Sequence, residues 1–358
     1  MIEKKKIKAR IIADSVNSHG NRITTFVLTY PRFIHAELLT HRLFSRNAAS
    51  SRAIPASKMI KDVEEDPFIP VAWQKAHKGM QGTEYFEHPL VEDFINLWLE
   101  ARDSVVEKAK LMLEGEALTK QLVNRILEPY QWYTCIVTCT ELDNFFELRC
   151  PQYEWQGSIY KSRKDLVYEE SIQDLNEDMS TLDFLKLNKG AGEIHISLLA
   201  EAMWDAMNES TPKQLESGEW HIPFGDKIDQ TRIDYMLSDD AAGLHPEDAC
   251  RFREEFGEQI MIKIATARCA RISYLNFEGK DDYEADIKLY DRLLEEGHMS
   301  PFEHCARAMN EEEFRNHFNG KAVVTHTEPD YDDLINTDEI QGWSGNFRGF
   351  VQLRKEIE

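Results

Sequence analysis

The chain opens with two runs in which apolar and polar positions alternate, residues 6–15 and 22–30, separated by Ser18-His19-Gly20-Asn21. A period of two puts successive side chains on opposite faces of a strand, and the quartet is a turn signal, so the pattern predicts a β-hairpin. Pro31 follows, where a first helical residue is favoured. From Phe33 to Phe44 apolar residues lie nearly all round a helical projection, with Ile34/Leu38 and Leu39/Leu43 as i,i+4 pairs. A helix apolar on most sides is normally buried. Residues 46–57 then read as a polar loop closing at Pro55.

Helical periodicity returns over 90–114 and 117–127, and again from Thr140 to Arg149, where it carries Phe145, Phe146 and Leu148. The apolar run at 131–139 is too short for periodicity to separate strand from buried helix. Residues 151–190 are polar, mixed in charge and weakly periodic, and read as an inserted helical flap. Glu193 to Met207 is amphipathic, 218–226 is a turn-rich connector, and a helix over 248–265 leads into TARCARISY. A further helix over 281–296 ends at Gly297. No internal repeat and no sharp change of composition divides the chain, so 1–358 is expected to be one domain with an insertion at 151–190.

With 42% hydrophobic residues the chain can build a sizeable core. It has no apolar run of the length a membrane span needs, about 18 residues or more. Its start, MIEKKKIKARII, lacks the pattern of a signal peptide. A net charge of −22 argues against a general nucleic-acid binder, which needs clustered cations, but not against a small phosphorylated ligand. The six cysteines form no CxxC pair and are read as reduced, mostly buried thiols of a cytoplasmic protein.

Four stretches carry candidate chemistry. His41-Arg42…Asn47…Ser50-Ser51-Arg52 sets two guanidiniums, an amide, hydroxyls and an imidazole around one turn, and forked guanidinium donors suit phosphate. The plainer alternative is a solvated helix end, since cations favour helix C-termini. His298-Met299-Ser300-Pro301-Phe302-Glu303-His304 reads as a helix start with Ser300 as N-cap, which leaves two histidines unexplained. It is not the zinc-peptidase pattern HExxH. Asn144 to Arg149 ends in a cation, and Arg268 and Arg271 stand three apart among small residues, suited either to close packing or to phosphate. The common phosphate loops and the GxSxG elbow are absent from the sequence.

Together these stretches resemble the flavin-dependent thymidylate synthases. The family's RHR-x7-S-x-R motif is similar to Thr40-His41-Arg42, seven residues, then Ser50-Ser51-Arg52; its PFEH segment to Ser300–His304; its ARxS segment to Ala270–Ser273; and its NFxxLR segment to Asn144–Arg149. The helix start Gly190–Ile194 resembles a further family segment. The order differs, since ARxS and PFEH follow the RHR-like motif here, as a circular permutation would produce.

The resemblance implies an α/β (α+β) fold with a central mixed, largely antiparallel sheet flanked by helices, assembled as a homotetramer with sites at subunit junctions. It implies methylation of dUMP to dTMP with FAD, and with NADPH and methylenetetrahydrofolate as co-substrates. On the same footing, His41, Arg42, Asn47, Asn144 and Arg149 would hold FAD. Ser50, Ser51 and Arg52 would grip the nucleotide, and His304 would stand beside flavin and folate.

Thr40, Glu37 and His195 depart from the family at the first arginine of the RHR motif, a nucleotide-binding glutamine and a base-reading arginine. A histidine cannot offer the forked donor pair of arginine, so a dCMP substrate or a hydroxymethyl product stays open, as does a binding protein without turnover. The C-terminal Arg348, Gln352 and Arg354 are expected to supply the missing donors. Truncation after Ser344 would then abolish nucleotide binding while leaving the fold intact.

Overall fold

The computed structural model describes residues 4–78, 82–114, 118–167, 179–238, 242, 244–275, 281–316 and 341–358. The predicted hairpin forms: β1 (Lys8–Asn17) runs antiparallel to β2 (Arg22–Pro31), and Gly20 takes φ +80 at the turn. The helix predicted over 33–44 does not run its length. A 3-10 turn at Arg32–Ile34 leads into α1 (His35–Leu38), and the chain then swings into β3 (Ser45–Ala48). The cause is local. Thr40 Oγ1 donates to the Glu37 carbonyl at 2.7 Å and Arg46 Nη1 to the Leu39 carbonyl at 3.1 Å, so side chains take carbonyls that a longer helix would bond internally. Phe33, Leu39 and Leu43, expected inside, are left exposed.

The helices α2 (Ala56–Glu65), α3 (Leu90–Leu113) and α4 (Lys120–Ile126) come next. The ambiguous run is a strand, β4 (Trp132–Cys139), which pairs with β2 along its length and with β3 on its other edge. After α5 (Asp143–Arg149), residues 151–190 are not purely helical. They form a hairpin of β5 (Tyr153–Trp155) and β6 (Ser158–Tyr160) with two short helices, α6 (Arg163–Val167) and α7 (Thr181–Leu187), around Tyr153, Leu166 and Phe184. Residues 168–178 of that stretch lie outside the described residues.

Then follow α8 (Ile194–Glu209), β7 (Lys213–Leu215), β8 (Trp220–His221) within the expected connector, and α9 (Gln230–Met236). The next helix, α10 (Pro246–Arg271), absorbs most of TARCARISY, and α11 (Tyr283–Glu295) matches its predicted span. The chain closes with β9 (Ala306–Ala308), α12 (Glu311–Asn316), β10 (Trp343–Ser344), β11 (Phe347–Arg348), β12 (Phe350–Gln352) and α13 (Leu353–Ile357).

The strand order of the main sheet is β3-β4-β2-β1-β7, antiparallel except for the parallel β1/β7 edge, so the fold is α+β around a mixed sheet. Side chains alternate between its faces. Phe26, Leu28, Tyr30, Cys135 and Val137 enter a core with residues of α2, α3, α5 and α8. Val27 and Ile136, on the opposite face, meet Phe224, Cys269 and Ile272. Covered on both sides, β2 is buried at every position but its first. A smaller antiparallel sheet, β12-β9-β8, adjoins the second face, where Ile23 shares a cluster with Ala306 and Phe350.

Five cysteines are buried free thiols, and the sixth, Cys250, is exposed. Among the described residues no helix is long and apolar enough to cross a membrane.

One buried charge ties the 151–190 segment to the core. Glu201 on α8, 2% exposed, accepts from Arg163 N at 2.7 Å, Arg163 Nε at 2.9 Å and Tyr153 Oη at 3.3 Å. Removing the guanidinium leaves a buried carboxylate short of donors, so Arg163→Ala is expected to lower unfolding stability by about 2–3 kcal/mol. Lys164→Ala, which breaks an exposed pair with Glu209, is expected to cost about 0.5 kcal/mol or less. Urea unfolding midpoints of the two variants check the contrast.

Candidate active site

The short strand β3 joins the predicted site segments. Ser45 and Asn47 are buried, and Asn47 Nδ2 donates to the Cys269 carbonyl on α10 at 3.4 Å. Just beyond the strand, Ser50 N donates to the Ser273 carbonyl at 3.1 Å. The stretch from His41 to Arg52 is thereby docked on the ARxS-like segment, far away in sequence. That segment's own arginines are structural: Arg271 Nε lies 2.7 Å from the buried Asp286 carboxylate, and Arg268 Nη2 lies 2.9 Å from Asp281. Of the two readings open for this pair, the charges are met by carboxylates of the chain itself.

At the other end of the stretch, Arg149 closes α5 against α1. Its Nε donates to His41 Nε2 at 3.2 Å and its Nη1 reaches Glu37 Oε2 at 3.5 Å. The His41 ring stands edge-on to Phe145, with centroids 4.7 Å apart. Burial, and then the Arg149 and Arg46 guanidiniums, lower the His41 pKa to about 4, so the ring is neutral near pH 7 and can accept from Arg149. Burial and the nearby Glu193 carboxylate raise the pKa of Glu37. Glu37, Arg149, Gly190 to Gly192 and Glu193 line an open cleft. Gly192 sits where backbones crowd, since a Cβ there would come within 2.4 Å of Ser197 Oγ and 3.3 Å of the Arg149 carbonyl.

His195 does not face this cleft as a base reader, which corrects its expected role. It is 4% exposed, Glu193 Oε1 lies 2.5 Å from its Nδ1, and its Nε2 accepts from Val71 N at 3.2 Å. With both ring nitrogens used by the protein it has no donor for a substrate. It fixes Glu193 instead.

The loop at 50–54 is tightly bound. The Ser50 carbonyl accepts from Ala53 N and Ile54 N at 3.0 Å, and Ser50 Oγ accepts from Arg52 N at 3.2 Å. Asn124, wholly buried on α4, donates to the Ser51 carbonyl at 2.8 Å and the Ile54 carbonyl at 3.0 Å. Sequence reasoning missed Asn124 because an asparagine within a short helix carries no motif. On this fixed loop Arg52 is exposed, as is Arg42 on its approach, and neither side chain has a hydrogen bond or ion pair with a described residue. Asn144 is also exposed and makes no bond to Arg149 or His41.

The C-terminal segment has a structural task. Gln352, 2% exposed, donates from Nε2 to Ser45 Oγ at 3.1 Å, and Arg354 is held by Glu303 at 2.6 Å and Glu358 at 2.7 Å. The Arg348 backbone N–H donates to Thr140 Oγ1 at 2.9 Å. Gln352 and Arg354 are therefore spent on the protein and do not replace the donors missing from α1. Truncation after Ser344 would also remove the buried Phe347 and Phe350 and strand β12, so it would not leave the fold intact.

The two unexplained histidines separate. His298 is exposed and 3.4 Å from Glu296, whereas His304 is wholly buried. Met299, not Ser300, takes the cap position of the 3-10 turn Ser300–Glu303, and no side chain caps it. Among the described residues no group of three His, Cys, Asp or Glu is placed to hold a metal.

His304 Nδ1 bonds Thr138 Oγ1 at 2.8 Å, Thr138 Oγ1 bonds Thr25 Oγ1 at 2.7 Å, and Thr25 Oγ1 bonds His221 Nε2 at 2.8 Å. His221 Nδ1 bonds Ser15 Oγ at 3.0 Å, and His304 Nε2 has no partner among the described residues. Burial lowers the pKa of both histidines to about 3. The alternation of β1, β2 and β4 puts Ser15, Thr25 and Thr138 on one face, but nothing in the sequence pointed to His221 as their neighbour.

No family model and no curated protein matches the sequence. Two solved structures of the UMP/dUMP methylase PolB from Streptomyces cacaoi, bound with 5-Br UMP and with 5-Br dUMP, are similar to this chain at 15% and 14% identity. The matches cover 57% of this chain and 90% and 91% of theirs, with TM-scores of 0.41 and 0.40.

A buried histidine kept neutral makes stability depend on pH. The folded pKa of His221 lies below its unfolded value near 6.5, so below that pH the unfolded chain binds the extra proton and folding is penalised. The stability lost in His221→Gln is therefore expected to be greatest above pH 6.5 and to shrink by up to about 1.4 kcal/mol per pH unit towards pH 4. Urea unfolding of wild type and variant at pH 7, 6 and 5 measures the difference; a gap that stays constant counts against it.

Proposed function

We propose that the chain is a flavin-dependent methylase of pyrimidine nucleotides, acting as a thymidylate synthase that converts dUMP to dTMP with FAD, NADPH and methylenetetrahydrofolate. The observation that carries this reading is the convergence on β3 of segments dispersed along the chain. Arg149 meets His41 and Glu37, Ser50 meets Ser273, and Ser45 meets Gln352. Direct hydrogen bonds join the Asn144–Arg149 and Ala270–Ser273 segments to the His41–Arg52 stretch, and His304 of the fourth segment bonds Thr138 on β4, the strand that pairs with β3.

The residues present suit a flavin. Exposed Arg42, whose guanidinium has no partner among the described residues, offers it to a diphosphate, and Arg149 with neutral His41 offers donors to a ring edge. The exposed Leu39, Leu43 and Leu148 beside them in the chain offer apolar surface to a flat ring system or to a second copy of the chain. The homotetramer proposed with this function would draw on the same surface. When bound, the flavin supplies the reducing equivalents, drawn from NADPH, that turn the one-carbon unit of methylenetetrahydrofolate into a methyl group. Arg52 and Ser50 hold the nucleotide phosphate, on a loop that Asn124 keeps from collapsing. His304 presents an unshared Nε2 inside the protein, one layer behind β4.

A second substrate is favoured by one feature. Glu37 and Glu193 line the cleft, and an ionised carboxylate can accept from the exocyclic amino group of cytosine but cannot donate to the O4 carbonyl of uracil. The test supplies purified protein with FAD, NADPH and methylenetetrahydrofolate and weighs the product formed from dUMP and, separately, from dCMP. A gain of one CH2 on dUMP is the expected result. A gain on dCMP alone moves the assignment to a cytosine nucleotide, an additional oxygen moves it to hydroxymethylation, and no product from either refutes it. Arg52→Ala is expected to weaken dUMP binding about 10- to 100-fold, the loss of one charge-assisted hydrogen-bond donor, as calorimetry would measure.

A further inference from the structure

The series Ser15–His221–Thr25–Thr138–His304 is a continuous hydrogen-bonded line across β1, β2 and β4, closed inside the protein. All five residues are buried, and the three inner residues, together with His304, are wholly so. Two elements of the small-sheet region supply the histidines: His221 from β8, and His304 from the residues just before β9. The small sheet itself holds the two in relation, because His221 pairs with Ala306, two residues after His304.

A threonine hydroxyl has one hydrogen, and a neutral imidazole has one N–H and one bare nitrogen. Neither Thr25 nor Thr138 has a third hydroxyl partner among the described residues. Leaving any of these contacts without a hydrogen would set two lone pairs against each other in a dry interior, and directing a hydroxyl hydrogen elsewhere would leave a buried donor unmade. Only two arrangements satisfy every contact. In one, Ser15 donates to His221 Nδ1, His221 Nε2–H to Thr25, Thr25 to Thr138, and Thr138 to His304 Nδ1, which puts the His304 proton on Nε2. In the other every bond is reversed: both histidines carry their proton on Nδ1, and His304 Nε2 is a bare acceptor.

We propose that Ser15, His221, Thr25 and Thr138 set which nitrogen of His304 carries the proton, so that His221, Thr25 and Thr138 are positioning residues for the unshared His304 Nε2. The two rings hold the same tautomer at all times, either both Nε2–H or both Nδ1–H. The linkage follows from the geometry alone. Its consequence for turnover rests on the proposed function, in which His304 belongs to the site. There the line decides whether Nε2 donates or accepts a hydrogen bond, and a change at His221, which touches no substrate, alters what Nε2 can do.

The test is long-range 1H–15N correlation of histidine-labelled protein at pH 7, since protonated and bare ring nitrogens have well-separated 15N shifts. His221→Gln and His304→Gln assign the two rings. The expected result is two neutral rings of the same tautomer. Opposite tautomers, or a doubly protonated ring, overturn the proposal. In Thr25→Val, a near-isosteric change that cuts the line, the tautomer ratio of His304 is expected to shift roughly five-fold, and an unchanged ratio would also overturn it. If that variant does not fold, the wild-type tautomers decide alone. The measurement needs no flavin, folate or nucleotide, so matched tautomers in a protein that forms no product would leave the linkage standing and remove the proposed function instead.

Discussion

The site depends on the pairing of β3 with β4, four residues in register from Ser45↔Thr138 to Ala48↔Cys135. A strand presents alternate side chains to opposite faces, so this short edge serves two regions at once. Ser45 and Asn47 point into the layer formed by α10 and the C-terminal strands, while Arg46 turns back to the carbonyl that ends α1. The cation-bearing loop can then leave the strand at one fixed place, against Ser273 and above Asn124. A one-residue slip would exchange the two sets of side chains and undo both attachments.

Burial on both faces of the sheet explains the chemistry of its interior. Polar groups enclosed there must find partners, and Thr25 and Thr138 stand opposite each other in the β2/β4 pairing. Their hydroxyls join two histidines into one series that ends at His304 Nε2, which has no partner among the described residues. The cleft near Arg149 follows a different rule. It is open, and its charges are partly balanced, with Glu37 against Arg149 and Glu193 against His195, while elsewhere on the stretch Arg42 and Arg52 have no partner among the described residues.

Much of this was legible in the sequence where local pattern and tertiary packing agree. The opening hairpin, α3 and α11 follow from periodicity, and two of the motif segments contain Arg149 and Ser273, which bond the His41–Arg52 stretch. The sequence misled where side chains compete with the backbone. Leu39 and Leu43 look like core in a helical projection, yet Thr40 and Arg46 cap the chain before a helix reaches them. It also misled at His195 and in the C-terminal tail. A histidine or arginine in a suggestive position cannot be told from one already bound by Glu193, Glu303 or Glu358 until the fold brings the carboxylate alongside. The partnership of His221 with His304 was not legible at all, because it passes through two threonines on different strands.

The central claim, that the residues gathered at β3 form a flavin-dependent site, is tested most directly by titrating the purified protein with FAD and following visible absorption, beside the Arg149→Ala variant. The account predicts a saturable spectral change in the wild type and an affinity about 10- to 100-fold weaker in the variant, since Arg149 would lose its charge-assisted bonds to the ring edge. A wild-type protein that leaves the FAD spectrum unchanged would contradict it.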